Sequence, residues 1–174
     1  MDEGLHHLQG KAEFVTSPDT ETLPLLLEFY REKLASVLAH QAGARMVSQY
    51  DANNAYQYVI NREDTQLAWL AAAILDLGGD VPPNASEPAR GDSANAVFEE
   101  DARQAASFVE RWRPRVDTMK HARHRGMLGV ILGETLEQQR FFEQARAGRT
   151  DLLGERTEKA GRLVGAVLPT RWIE

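Results

Sequence analysis

The stretch that decides the fold is residues 63–82, EDTQLAWLAAAILDLGGDVP. Its apolar residues recur at spacings of three and four, as on one face of an α-helix. Gly78 and Gly79 are suited to end this helix, because glycine readily takes the positive φ of a helix C-terminus, and Pro82 cannot continue it. The sequence therefore predicts a long helix over 46–77 with a sharp end.

Three further predicted helices flank this stretch. Pro24 suits the first turn of a helix, where its missing N–H costs no hydrogen bond, and Gly43 is predicted to end that helix. Pro114 is predicted to end or sharply bend the helix that precedes it. These helices are predicted over 22–42, 94–112 and 116–147.

The connection between the second and third predicted helices is long. Residues 78–92 are rich in Gly, Pro, Asn and Ser. At about 3.3 Å per residue they can cross more than about 40 Å, which is the length of a bundle. The third helix is therefore expected to run parallel to the second, and the fold class is all-α, a four-helix bundle with one long crossover.

The chain is expected to form one domain, because 174 residues suffice for a single self-sufficient core. Residues 1–19 are interpreted as an irregular N-terminal segment and 20–148 as the bundle. Residues 149–174 are interpreted as a C-terminal extension with a short helix near 158–168.

Composition excludes several classes of protein. The chain has no cysteine, so disulfides, iron–sulfur clusters and thiolate zinc sites are impossible. Its 26 Asp and Glu exceed its 20 Lys and Arg, for a net charge of −6, so no nucleic-acid partner is expected. The basic run Lys120–Arg125 is interpreted as an exposed patch. Without a signal-peptide pattern or a membrane-length apolar run, the protein is expected to be cytoplasmic and not bound to a membrane.

Three carboxylates occupy the middle of predicted apolar stripes. At 100° per residue, Glu63, Asp101 and Glu134 each fall within about 20° of the centre of their stripe. A buried, unpaired carboxylate costs several kcal/mol, so each must be protonated, paired or bound to a metal. Facing helices that each supply a carboxylate form the di-metal sites of some bundles. The alternative is pairing with arginines, for which the candidates are Arg31, Arg62 and Arg123.

Residues 63–82 resemble the second helix of the ferritin-like superfamily, especially the bacterioferritin and rubrerythrin type. In that family a Glu-x-x-His precedes Leu or Ile positions and a Leu-Gly-Gly-x-Pro-like end. Here Glu63 is present, but Gln66 stands at the His position. A second such motif is expected on the fourth helix, where Glu137 replaces the histidine. The metal ligands that the resemblance implies are Glu28, Glu63, Gln66, Asp101, Glu134 and Glu137.

The resemblance implies a ferritin-like up-down bundle with an iron or manganese site. Oxygen ligands in place of histidines favour a harder ion such as manganese. The implied activity is that of an oxidase linked to O₂ or peroxide, acting on a small molecule that the sequence does not specify, and a homodimer is expected. The alternative is a degenerate bundle without metal that serves as a structural or interaction module. In that case Arg side chains and Tyr hydroxyls would satisfy the inward acids.

Overall fold

The computed structural model describes residues 21–83 and 86–153. Within these ranges the chain forms four α-helices and no strand, which confirms the predicted all-α class. None of these helices carries an apolar stretch long enough to cross a membrane. The predicted segment 1–19 and the short helix near 158–168 lie outside the described residues. The helices are α1 (Thr22–Ala44), α2 (Tyr50–Asp76), α3 (Ala94–Asp117) and α4 (Ala122–Arg146).

Local sequence signals set several helix ends. The Ser93 side chain accepts a hydrogen bond from the Ala96 N–H at 3.3 Å and caps the start of α3. Gly78, with φ +75°, follows α2, and Gly148, with φ +80°, follows α4. Glycine takes this conformation without the steric cost that a side chain would bring. These two ends lie within one residue of the predicted ones.

Two residues that were predicted to break helices lie inside the last turns of those helices. Pro114 does not end α3, which continues to Asp117. The missing N–H of this proline leaves the Glu110 carbonyl without its usual donor in the helix, and α3 still continues for three residues beyond Pro114. Gly43 lies inside α1 and does not break it. A Cβ there would come within 2.8 Å of Val97 Cγ1, so glycine at this position allows α1 and α3 to approach closely.

The turns between paired helices are longer than predicted. α2 begins at Tyr50 instead of residue 46, and α4 begins at Ala122 instead of residue 116. The start of α4 is set by His121, whose Nδ1 accepts a hydrogen bond from the His124 N–H at 3.4 Å. Side-chain capping of this kind satisfies a backbone donor that has no helical partner.

Contacts between helices fix their directions. The short turns make α1 antiparallel to α2 and α3 antiparallel to α4. Along α1, the α1–α3 side-chain pairs are Glu28–Arg115, Glu32–Arg111 and His40–Asp101. Along α2, the α2–α4 pairs are Tyr58–Phe141 and Gln66–Glu134. In both series the residue numbers rise along one helix as they fall along the other, so α1 is antiparallel to α3 and α2 is antiparallel to α4. Therefore α2 and α3 point the same way, and the chain between them returns along the bundle.

Two apolar clusters fill the opposite ends of the bundle, and each draws on all four helices. One surrounds the edge-to-face contact of Phe29 with Trp112, whose ring centroids are 4.7 Å apart. The other surrounds Tyr56 and Phe142, with centroids 5.2 Å apart. Between the clusters lies a layer of buried polar side chains. Its members are Lys33, His40, Glu63, Gln66, Asp101, Thr135 and Gln138.

Candidate functional site

Glu63 lies in the polar layer with its side chain fully buried. Lys33 Nζ donates to its Oε1 at 2.8 Å, and His40 Nδ1 donates to its Oε2 at 2.7 Å. Burial acts to raise the pKa of Glu63, but the facing His40 and Lys33 outweigh it and hold this pKa at about 2. Glu63 is therefore a buried, ionised carboxylate with both oxygens occupied.

Lys33 brings a positive charge into the centre of the bundle. Its side chain is 1% exposed, and its Nζ lies 5.9 Å from the centroid of the Phe108 ring. A lysine is almost never fully buried unless it is paired, and here Glu63 is the partner. The ring face adds a further attraction for the ammonium group. The chain thus places its own cation against the buried carboxylate.

Asp101 is the second buried carboxylate, and it is held from three directions. The Tyr56 hydroxyl donates to Oδ2 at 2.5 Å, and Arg90 Nη2 donates to Oδ1. His40 Nε2 lies 4.0 Å from the same Oδ1, so the imidazole stands between the two acids. Burial and the charge of Asp101 raise the pKa of Tyr56 above its ordinary value, which keeps the hydroxyl protonated as a donor.

Arg90 reaches this site from the crossover and not from a helix. Its side chain is only 6% exposed and neutralises Asp101, as Lys33 neutralises Glu63. The attraction within each pair offsets part of the penalty of several kcal/mol per ion that burial imposes. We call these residues the charged core cluster: Lys33, His40, Tyr56, Glu63, Arg90 and Asp101.

On α4 the buried positions lie one residue after the two glutamates that were predicted as metal ligands. Glu134, predicted at the centre of the stripe, is partly exposed and accepts a hydrogen bond from Gln66 Nε2 at 2.5 Å. Glu137 is exposed. The buried residues of this turn are instead Thr135 and Gln138, 4% and 3% exposed. Because one residue turns a helix by 100°, the two glutamates leave the core.

Glu28, the predicted ligand from the first helix, lies on the outer face of α1. Its carboxylate accepts hydrogen bonds from Arg115 at 2.8 and 2.5 Å, which lower its pKa. The guanidinium of Arg115 also stacks over the Trp112 ring at 4.0 Å. Glu28 therefore belongs to the surface and is not part of the charged core cluster.

The charged core cluster does not fit a di-metal site. All four carboxylate oxygens of Glu63 and Asp101 already accept a hydrogen bond from a side chain of the protein. A metal site of the ferritin-like type needs free carboxylate oxygens from several helices. Across the described ranges, no group of three or more His, Cys, Asp or Glu side chains is placed to hold a metal ion.

The sequence prediction missed the partners of the buried acids. Lys33 and His40 are seven residues apart on α1, on the face that also carries Tyr30 and Val37. A basic residue at that spacing within an apolar stripe is the signal that identifies an internal cation. Arg90 offers no such signal, because it lies in the crossover where no periodicity applies.

A groove of about 760 Å³ lies between α1, α3 and the crossover. Small residues line much of it, and its arginines are already paired with acids. Arg111 pairs with Glu32, and Arg103 pairs with Glu100. Arg90 faces this groove as well while it binds Asp101. Each of the three arginines that line the groove therefore has an acidic partner.

A smaller pocket of about 260 Å³ lies between α2 and α4, and we call it the α2–α4 pocket. Arg62, one of the arginines predicted as alternative partners of the inward acids, forms an ion pair with Glu134 in its lining. The lining residues are Tyr58, Arg62, Glu134, Glu137, Gln138 and Phe141.

No protein-family model, curated protein or solved structure matches this chain. The charged core cluster and the two surface cavities are therefore the features from which a function can be proposed.

Proposed function

We propose that this chain is a ferritin-like four-helix bundle whose core requires no metal ion and which serves as a structural or interaction module. Two antiparallel helix pairs joined by a crossover along the bundle support the ferritin-like arrangement. The resemblance of residues 63–82 to the second helix of that superfamily supports it as well.

The observation that carries the proposal is the complete pairing of the buried acids. Lys33 and Arg90 supply two positive charges for the two carboxylates of Glu63 and Asp101, and His40 lies between them. In a ferritin-like metal site, metal ions neutralise such carboxylates. Here the ammonium and guanidinium groups of the chain do so, and the core is stable without a bound ion.

Metal analysis tests this proposal directly. The full chain is purified without chelator from cells grown with excess iron and manganese, and its metal content and melting temperature are measured before and after EDTA treatment. We expect far less than one equivalent of either metal and no change in melting temperature. A specifically bound ion would instead stabilise the fold by mass action, and EDTA would remove that stabilisation.

Two variants sharpen the test. Glu63→Gln removes a core charge, and Glu28→Gln is the matched control on the surface of α1. We expect neither variant to change the metal content, while Glu63→Gln alone lowers the stability. One or two equivalents of iron or manganese in the parent protein, lost in Glu63→Gln but kept in Glu28→Gln, would overturn the proposal.

A further inference from the structure

Helices α2 and α4 form a seam that follows the surface of the bundle. Each helix places three side chains on the face toward the other, at spacings of four and seven residues. Tyr58 contacts Phe141 at the first level, and Arg62 pairs with Glu134 at the next. The antiparallel directions then bring the third side chain of each helix to one level. We call this surface the α2–α4 seam, and its residues are Tyr58, Arg62, Trp69, Val130, Glu134 and Phe141.

Much of the α2–α4 seam is exposed apolar surface. Tyr58, Trp69 and Val130 are 45%, 37% and 50% exposed. Single exposed apolar side chains are common, but several that follow one seam mark a surface that another element covers. The α2–α4 pocket opens into this seam beside Tyr58 and Phe141, where it offers room for an apolar side chain. From Tyr58 to Trp69 the seam is about 16 Å long, by the rise of a helix.

The chain leaves the described bundle at one end of this seam. Leu152 is buried in the cluster around Tyr56 and Phe142. Phe141 packs against the same cluster, so the last described residue lies at the same end of the bundle as Phe141. Twenty-one residues follow it in the sequence. Four of them, at about 3.3 Å per residue, suffice to bridge about 13 Å and reach the seam.

The sequence of 158–168 is suited to cover the seam. Its apolar residues occupy one face of the predicted helix, at successive spacings of three, one, three and one. They are Ala160, Leu163, Val164, Val167 and Leu168. A helix this short is marginal in water by itself and gains most of its stability by packing an apolar face. Its length of about 15 Å matches the distance along the seam from Tyr58 to Trp69.

We propose that residues 158–168 form a fifth helix that packs on the α2–α4 seam, antiparallel to α4. The helix begins beside Tyr58 and Phe141, at the end where the chain leaves the bundle. It ends beside Trp69 and Val130. An external partner would reach this surface only by displacing the segment. The inference uses no residue of the charged core cluster, so it is independent of whether that cluster binds a metal.

The groove between α1 and α3 is a poorer site for this segment. An amphipathic helix docks by burying its apolar stripe on an apolar surface. Phe108 is the only large apolar side chain in the lining of that groove, and it is buried. Apart from Pro88, the other lining residues are small, polar or charged. The exposed apolar side chains of the α2–α4 seam suit the stripe better.

Paramagnetic broadening of NMR signals in the ¹⁵N-labelled full chain tests this packing. The chain has no cysteine, so Ala166→Cys carries a single nitroxide label on the outer side of the predicted helix. We expect the amide signals of Trp69 and Val130 to broaden strongly. Those of Ser36 and Ser107, which line the groove between α1 and α3, should broaden far less.

A mixed sample distinguishes packing within one chain from packing between two copies. It combines spin-labelled chain without ¹⁵N and ¹⁵N-labelled chain without the nitroxide, so only contacts between copies broaden signals. We expect no broadening of the Trp69 signal in this sample. Broadening as strong as in the single sample would assign the seam to a second copy and overturn the proposal. Strongest broadening at Ser36 or Ser107, or none at any amide, would overturn it as well.

Hydrogen exchange on variants measures how strongly the segment packs. The backbone amides of 163–168 should be protected in the parent protein. Val130→Gln should lower this protection at least about threefold, because it removes apolar area from the contact. Leu75→Gln is the matched control, since Leu75 is 59% exposed on α2 but lies about 120° around the helix from Trp69. Circular dichroism verifies that both variants are folded. Unprotected amides in the parent protein, or equal protection in the two variants, would contradict the assignment.

Discussion

Glu63 and Glu28 are both glutamates bound to basic side chains, but they lie in opposite surroundings. Glu63 and its partner Lys33 are 0% and 1% exposed, whereas the side chains of Glu28 and Arg115 are 50% and 37% exposed. Water can replace a lost partner at the surface and cannot do so in the core. The same kind of pair is therefore essential at one site and nearly dispensable at the other.

The largest effect is expected for Lys33→Met, which keeps the bulk of the side chain and removes its charge. Glu63 would keep only His40 as a partner, and breaking a buried pair from one side costs about 3–5 kcal/mol. Urea denaturation measures the loss. Lys120→Met is the control, because Lys120 is 82% exposed, and its unfolding should match that of the parent protein. Equal stabilities of the two variants would show that Lys33 does not hold Glu63.

The next largest effect is expected from acid, which should weaken the pair of Lys33 and Glu63. The pKa of Glu63 is about 2 in the folded protein, below its usual 4.5, so the folded state favours the ionised form. The resulting stabilisation is fully present above about pH 4.5 and is lost as the pH falls through about 2. Its size is on the order of 3 kcal/mol.

Denaturation at pH 6 and pH 2.5 measures this acid sensitivity. Part of the loss should disappear in Glu63→Gln, which has no carboxyl group at this position. An identical pH dependence in Glu63→Gln and the parent protein would mean that Glu63 does not titrate as proposed.

Tyr56→Phe should have an intermediate effect. The change removes the hydroxyl that donates to Asp101 Oδ2 and leaves a buried carboxylate oxygen without that donor. The expected loss is about 1–3 kcal/mol in the free energy of unfolding. Tyr58→Phe on the same helix is the control, because Tyr58 is 45% exposed and should tolerate the change. No difference between the two variants would contradict the role given to Tyr56.

The smallest effect is expected for Glu28→Gln. The pair with Arg115 is exposed to water, so its loss should cost less than about 1 kcal/mol. Salt should shrink the difference from the parent protein further, since exposed charges are screened. Thermal melts at low and high salt give this comparison. A loss as large as that of Lys33→Met would remove the distinction between core and surface.

The helices were predictable from the sequence because local signals define them. Apolar spacing located all four helices, and Gly78 marked the end of α2. Pro114 and Gly43 misled the prediction because both lie inside helices. Gly43 has a tertiary reason, since it allows α3 to approach α1 closely, whereas α3 continues past Pro114 despite the helical hydrogen bond that the proline removes.

The candidate site was only partly predictable. The burial of Glu63 and Asp101 followed from the stripes, but their partners depend on tertiary contacts, above all Arg90 from the crossover. On α4 the buried face includes Thr135 in place of the predicted Glu134. The Thr135 hydroxyl donates to the Ile131 carbonyl at 2.9 Å, which satisfies the group and allows its burial.

A double-mutant cycle between Lys33 and Glu63 tests most directly whether the chain neutralises its own buried acid. The free energies of unfolding are measured in EDTA for the parent protein, Lys33→Met, Glu63→Leu and the double variant. Each single change leaves one buried charge without its main partner, whereas the double change removes both charges. We expect the double variant to lose at least about 2 kcal/mol less than the sum of the single losses. Additive losses would contradict the proposed pair.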